Sequence, residues 1–377
     1  MGYDSVDTLQ NLLASEVFHY TNDRKKAAGR ALGTFVELIT YYVIKNWNLE
    51  HYTAIERSLP EFANNEITHN VEFTLHGNRL IADSNFDEKD FPISCITIIK
   101  KHFDKNTVIS KSRMIIDRNK VIKNAFVLTT KENSFISVFV NSPTNSYRIC
   151  ELRNKPFAMF ECKRVGVEEG MKKGPQTIEK AKQGSYVARA VSSLQRIRYD
   201  NGSLGGILQK NDGTFIIKDY YTLLNEIISS EDIEVLNNFI LTVGIISNHG
   251  NWFTQENQNK ELKVLAQSYD WLVFLTDKGI GEFITDLLIK PKKENKPVKE
   301  AFEKSYNEYK KGNIFTKVKI GYNADIALTN YFKQNKEKIN SWFNIITPKD
   351  KSLKELENEL VLLSRKNWYA PVTAQGI

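Results

Sequence analysis

A chain of 377 residues, 41% hydrophobic and 26% charged, is long enough to bury a substantial core, and this composition excludes an intrinsically disordered protein. The formal net charge of +7 favours an anionic partner. Three cysteines without C-x-x-C spacing exclude a disulfide framework and a structural zinc site, and no apolar run approaches the ~18 residues of a membrane span. The opening MGYDSVDTLQ lacks the basic and apolar regions of a secretory signal, so the expectation is a reduced, intracellular protein.

The first element in chain order is a helix within NDRKKAAGRALGTFVELITYYVIKNW. Asn22 or Asp23 can cap it, and Ala28, Leu32, Phe35, Ile39 and Val43 recur at helical spacing. HNVEFTLHGNRLIA reads as a hairpin and ISCITIIKKHF as a buried strand or short helix. Strand-like runs follow, NAFVLTTK, SFISVFV, SYRICELR and FAMFECKRV, separated by turn residues at KENS, NSPTN and RNKP. A hairpin is therefore expected to turn at Asn154-Lys155-Pro156. Gly174 and Pro175 then open a helix reaching about Arg198. GGILQKNDGTFIIKDYY reads as a hairpin around Asn211-Asp212-Gly213, and NNFILTVGIIS as an apolar central strand. From about 258 the pattern is mostly helical, broken by the charged KPKKENKPVK linker, with a last amphipathic helix near SLKELENELVLLSRK.

The chemistry concentrates at the end of FAMFECK. On a strand, Phe157, Met159, Glu161 and Lys163 share one face and Ala158, Phe160 and Cys162 the other. Unpaired charge beside apolar side chains is expensive, so Glu161 and Lys163 require a reason. One reason is a salt bridge at a sheet edge. The other is a glutamate on a divalent cation with a lysine over a reacting phosphate. Acid-x-lysine triplets also start at Asp23, Asp87, Glu261, Glu294 and Glu308, but only Glu161 ends an apolar strand with a glycine loop and a basic helix behind it.

These residues resemble the PD-(D/E)xK nuclease superfamily, and within it type II restriction endonucleases. Glu161-Cys162-Lys163 matches the (D/E)xK half-motif, and SPTNSYR sits where the PD half-motif belongs. GTFVE, ending at Glu37, resembles the first core helix that carries a glutamate near the metal. The resemblance implies an α/β fold with a mixed central sheet flanked by helices. Residues 1–255 would form the nuclease core, with an insertion at about 50–123. The mostly helical 256–377 would serve DNA recognition or dimerisation.

It also implies Mg2+-dependent, sequence-specific hydrolysis of double-stranded DNA by a cytoplasmic, prokaryotic homodimer. Alternatives are a repair or recombination nuclease of the same superfamily, a non-cleaving DNA-binding protein on its scaffold, and a soluble enzyme unrelated to DNA. The catalytic set implied is Asn145, Glu161, Lys163 and Glu37. The metal would lie on Glu161 with Asn145 or Glu151, leaving Asp117 and Asp83 as further candidates for the upstream acid. Asn145 departs from the family, because asparagine brings no negative charge; if it replaces an aspartate, the chain is crippled for cutting. DNA contacts are expected from Arg164, Lys172, Lys173, Lys180, Lys182, Gln183 and Arg189 through phosphates. Asn248, His249 and Asn251 are suited to base edges.

Overall fold

The computed structural model describes residues 6–18, 23–59, 70–103, 113–164, 186–191, 193–210, 212–247, 264–306 and 314–369. Two helices open the chain, α1 (Val6–Glu16) and α2 (Arg24–Asn46), the second capped by the Asp23 side chain accepting from the Lys26 amide. β1 (Thr53–Arg57) and the long β2 (Val71–Asn85) follow. The next elements are β3 (Ile93–Ser94), α3 (Cys95–His102), β4 (Met114–Ile116), β5 (Val121–Lys123), β6 (Phe126–Thr130), β7 (Ser134–Asn141) and β8 (Ser146–Arg164). Helical residues 186–191 (α4) lead to β9 (Gln195–Arg198), β10 (Leu204–Gln209), β11 (Phe215–Asp219), α5 (Tyr220–Ser229), α6 (Ile233–Asn237) and β12 (Leu241–Ser247). The last stretch holds helical residues 264–266 (α7), β13 (Trp271–Leu275), α8 (Asp277–Ile284), α9 (Lys296–Ser305), β14 (Lys319–Gly321), α10 (Tyr322–Gln334), α11 (Lys336–Asn340), β15 (Phe343–Thr347) and α12 (Leu353–Ser364).

The fold is mixed α/β. The main sheet runs β1-β2-β8-β12-β13-β15, with β8, β12 and β13 parallel and the other pairs antiparallel. β12, β13 and residues 156–162 of β8 are buried at every position, as strands covered on both faces must be. One face packs against α2, whose Ala28, Leu32, Phe35, Ile39 and Val43 are all buried as the spacing predicts. Ala31, Val36, Leu38 and Tyr42 are buried too, because α2 also receives α9 and α10 on its far side, with Phe35 against Phe302 and Tyr42 against Phe332. The other face packs Met159, Ile246, Leu272 and Phe274 against Val187, Ala188 and Val191 of α4.

The hairpin expected at Asn154-Lys155-Pro156 is instead the middle of β8, a single strand of 19 residues. Its first half pairs with β7 up to Arg153, and its second half pairs with β12 from Ala158. Pro156 falls in the gap between these partners, opposite His76 where the β2 register shifts. Proline is tolerated inside a sheet at such an irregularity, so the three residues mark a bulge and not a turn. β2 is likewise one strand through Gly77. A Cβ there would lie 2.3 Å from Trp368, whose ring stacks on Phe157 at 5.5 Å.

Other expectations change in the same way. β1 and β2 belong to the central sheet although they lie within the expected insertion. Residues 195–198 form a strand and not the end of a helix. The helical 256–377 also supplies β13 and β15. ISCITIIKKHF contributes α3, half-buried and capped by Ser94. Cys95, Cys150 and Cys162 are free and buried. Among the described residues no helix is long and apolar enough to cross a membrane.

One buried acid gives the fold a pH signature. Glu359 on α12 accepts from the Trp271 indole at 2.8 Å, and burial pushes its pKa up to about 7. An acid whose folded pKa exceeds its unfolded value stabilises most below the unfolded value, and that stability is lost as pH rises through about 7. Glu359→Gln keeps an acceptor for Trp271 without the charge. It is expected to add roughly 3 kcal/mol at pH 8 and little at pH 4.5, read from urea melts at the two pH values. An equal effect at both would contradict this.

Candidate active site

Strand register brings three glutamates into one row. Ile55 pairs with Phe73 and Arg57 with Val71, so Glu56 of β1 stands opposite Glu72 of β2. Phe73 pairs with Phe160, so Glu72 stands opposite Glu161 of β8. Glu161 in turn pairs with Gly244 of β12, against which the Tyr269 ring packs so closely that a Cβ would lie 2.8 Å from it. Burial, followed by the charge of Glu161, raises the Tyr269 pKa. Like charges directly opposite each other destabilise a sheet unless cations intervene.

Two lysines intervene. Lys163 Nζ lies 3.1 Å from Glu161 Oε2 and 3.5 Å from Glu72 Oε1. Lys317, in the tight turn before β14, touches the Glu72 carboxylate and lies 3.1 Å from Glu37 on α2 and 3.3 Å from Glu56. The Glu161 side chain is 0% exposed, Glu72 13% and Lys163 21%. Glu161 and Lys163 therefore do not neutralise each other on an open sheet edge. They sit on a central strand, and further carboxylate oxygens converge on them. Glu56 has φ 52°, a left-handed conformation unfavourable for glutamate by roughly 1–2 kcal/mol.

Four carboxylates face two ammonium groups, a formal excess of two negative charges. An oxygen-only donor set with excess charge suits magnesium. Among the described residues no three His, Cys, Asp or Glu side chains form a ready-made metal-ligand group. The centre of this cluster is taken by the Lys317 ammonium. The donor chemistry fits a hard divalent cation, with Glu72 and Glu161 the pair nearest Lys163.

The sequence placed Glu161, Lys163 and Glu37 here; the structure joins Glu161 and Lys163 directly and links Glu37 to them through Lys317 and Glu72. It does not bring Asn145 or Glu151 to them. Asn145 precedes β8 by one residue, and Glu161 lies sixteen residues further on, near the other end of that strand. It ends a 3-10 turn at φ 49°, and its Oδ1 accepts from the Tyr322 hydroxyl. Asparagine suits that left-handed position. It is a turn residue here, so Asn145→Asp is expected to leave any Mg2+-dependent cleavage unchanged; a gain would restore Asn145 to the site.

Glu151 lies ten residues up the same strand and accepts from Lys131 (2.9 Å), Ser134 (2.7 Å) and Arg79. Burial works against its charge, yet these bonds outweigh burial and bring its pKa down to about 2. Asp83 pairs with its cross-strand neighbour Arg148, and Asp117 closes a turn onto the Asn119 and Val121 amides.

Among the expected DNA contacts, Arg164 is committed to the fold. Its guanidinium donates to the Gly29 carbonyl (2.9 Å) and to Gln10 (2.8 Å), tying α1 and α2 to the end of β8. Arg189 is exposed on α4 and shares with Arg198 the rim of a cavity of about 290 Å³. Lys172, Lys173, Lys180, Lys182, Gln183, Asn248, His249 and Asn251 lie outside the described residues.

Glu56, Glu72 and Lys317 were missed. Glu72 had a signal: in VEFTLH it is a charge between apolar positions on a strand, as Glu161 is. Glu56 and Lys317 sit in ordinary polar text and have none. Comparison with family models, curated proteins and solved structures returns no match.

Proposed function

We propose that this chain is a Mg2+-dependent DNA endonuclease of the restriction type, hydrolysing phosphodiester bonds in duplex DNA at a defined sequence. The observation that carries this reading is the row Glu56, Glu72, Glu161 across three neighbouring strands, with Lys163 between the inner two. The upstream acid of the resemblance is then Glu72, in place of Asn145 or Glu151.

Glu72 and Glu161 would hold the cation, and Glu37 lies close enough to join the same charge cluster. Magnesium bound there supplies a water of lowered pKa and neutralises charge on the reacting phosphate. Lys163 donates to a phosphate oxygen or orients the attacking water. Hydrolysis joins the water oxygen to phosphorus and breaks the bond to the leaving sugar oxygen, which takes up a proton. The exposed Arg189 and Arg198, with Lys172, Lys173, Lys180 and Lys182, would supply sequence-blind phosphate contacts. A homodimer suits a two-fold symmetric duplex target, and a cytoplasmic place in a prokaryotic cell goes with this activity.

Lys317 at the centre of the carboxylates favours one second reading, a DNA-binding protein whose acidic cluster stays neutralised and never cuts. Incubating the chain with phage DNA, with and without Mg2+, separates the readings. Discrete Mg2+-dependent fragments support the restriction-type nuclease. Structure-dependent nicking points to a repair nuclease, and binding without cutting to the second reading.

A further inference from the structure

We infer that Lys317 is a built-in cation that fills one metal position of the acidic cluster, so that the site accepts one divalent cation and not two. This deepens the nuclease reading and rests on it. The ammonium is ringed by carboxylates from three elements, Glu37 on α2, Glu56 on β1 and Glu72 on β2. An ammonium has three donors, and three carboxylates are there to receive them. Its side chain is 3% exposed and its charge lies 5.9 Å from the Phe73 ring centre, so the ammonium is largely shielded from solvent.

The backbone that carries Lys317 is fixed. Its carbonyl accepts from the buried Asn124 side chain at 2.8 Å, and the Asn124 amide donates to the Val318 carbonyl at 2.9 Å. The turn closes through the Thr316 amide on the Lys319 carbonyl at 2.8 Å, and β14 pairs with β5 directly after it. A lysine on such a short, doubly anchored turn is a permanent member of the site. Lys163 is placed differently, between Glu72 and Glu161, where a cation and a phosphate would meet it. Without the Lys317 charge, Glu37 and Glu56 would lose the cation between them and Glu72 would keep only Lys163 at 3.5 Å, and a second divalent cation is the chemistry that restores balance.

The test counts Mn2+ bound per full-length chain by calorimetry without DNA, in wild type, Lys317→Met and Lys317→Arg. Wild type and Lys317→Arg are expected to bind one ion and Lys317→Met two. Thermal melts provide a second readout if Lys317→Met folds poorly: added Mn2+ should raise its midpoint by more than it raises wild type's. Two ions on wild type, or one on Lys317→Met with no extra thermal response, overturn the inference and leave the nuclease reading intact. No Mn2+ on any of the three chains overturns both.

Discussion

Replacing Asp325 by alanine is expected to remove about 3–5 kcal/mol of stability, the usual result of stranding one partner of a buried ion pair. Asp325 is fully buried on α10, and both its oxygens lie 2.9 Å from the Lys45 ammonium, itself 5% exposed. It also accepts from the Tyr42 hydroxyl at 2.6 Å and from Ser142. Burial, and then the charge of Asp325, raises the Tyr42 pKa, so the phenol remains a donor. The substitution strands the Lys45 ammonium in the core and removes the tie between α2 and the turn before β8. Urea denaturation measures the loss. The double variant Asp325→Ala/Lys45→Met should recover most of it, because the stranded charge is gone. A loss under about 1 kcal/mol, the scale of one ordinary hydrogen bond, would show that the network contributes little.

The second large effect is kinetic. Glu72→Gln and Glu161→Gln are each expected to lower Mg2+-dependent cleavage of duplex DNA by roughly a hundred- to a thousandfold, the scale of losing one preorganised charge at a reacting centre. Each keeps the shape of the side chain and removes one negative charge from a site that, on the proposed nuclease reading, would meet phosphate. Duplex binding measured with Ca2+ in place of Mg2+ should therefore stay equal or become tighter. Glu151→Gln serves as the control on the same strand. Its carboxylate is held by Lys131, Ser134 and Arg79 far from Glu72, so cleavage should not change. Cleavage unaffected by Glu72→Gln would remove β2 from the site.

The half of the site that the sequence disclosed is the half written on one strand. Glu161 and Lys163 end an apolar run, and only that local contrast made them visible. Glu37 entered through resemblance of its helix. Glu72 lies 89 residues before Glu161, and nothing local couples the two; they meet because β2 and β8 pair antiparallel along their length. Asn145 misled for the opposite reason. It is close in sequence, and a hairpin at Pro156 would have folded it back toward Glu161. The chain continues as strand through a bulge, which puts the two near opposite ends of one strand.

Fold class was legible from the strand-like runs and from the α2 stripe. The strands β13 and β15 were not, since WLVFL and FNIIT are short apolar runs set among helices, where periodicity alone does not tell a strand from a helix. Lys317 depends on pairing between β14 and β5, almost two hundred residues apart in the chain, and so carries no sequence signal at all.

The position of the cation is the claim on which the account turns, and it can be mapped directly. Fe2+ exchanged into the site in place of Mg2+, with ascorbate and peroxide, cuts the polypeptide beside the bound ion, and the fragments report where it sits. Cuts clustered near residues 72 and 161 are the predicted result. Cuts near 145–151, or no Mg2+-competed cutting anywhere, would contradict it.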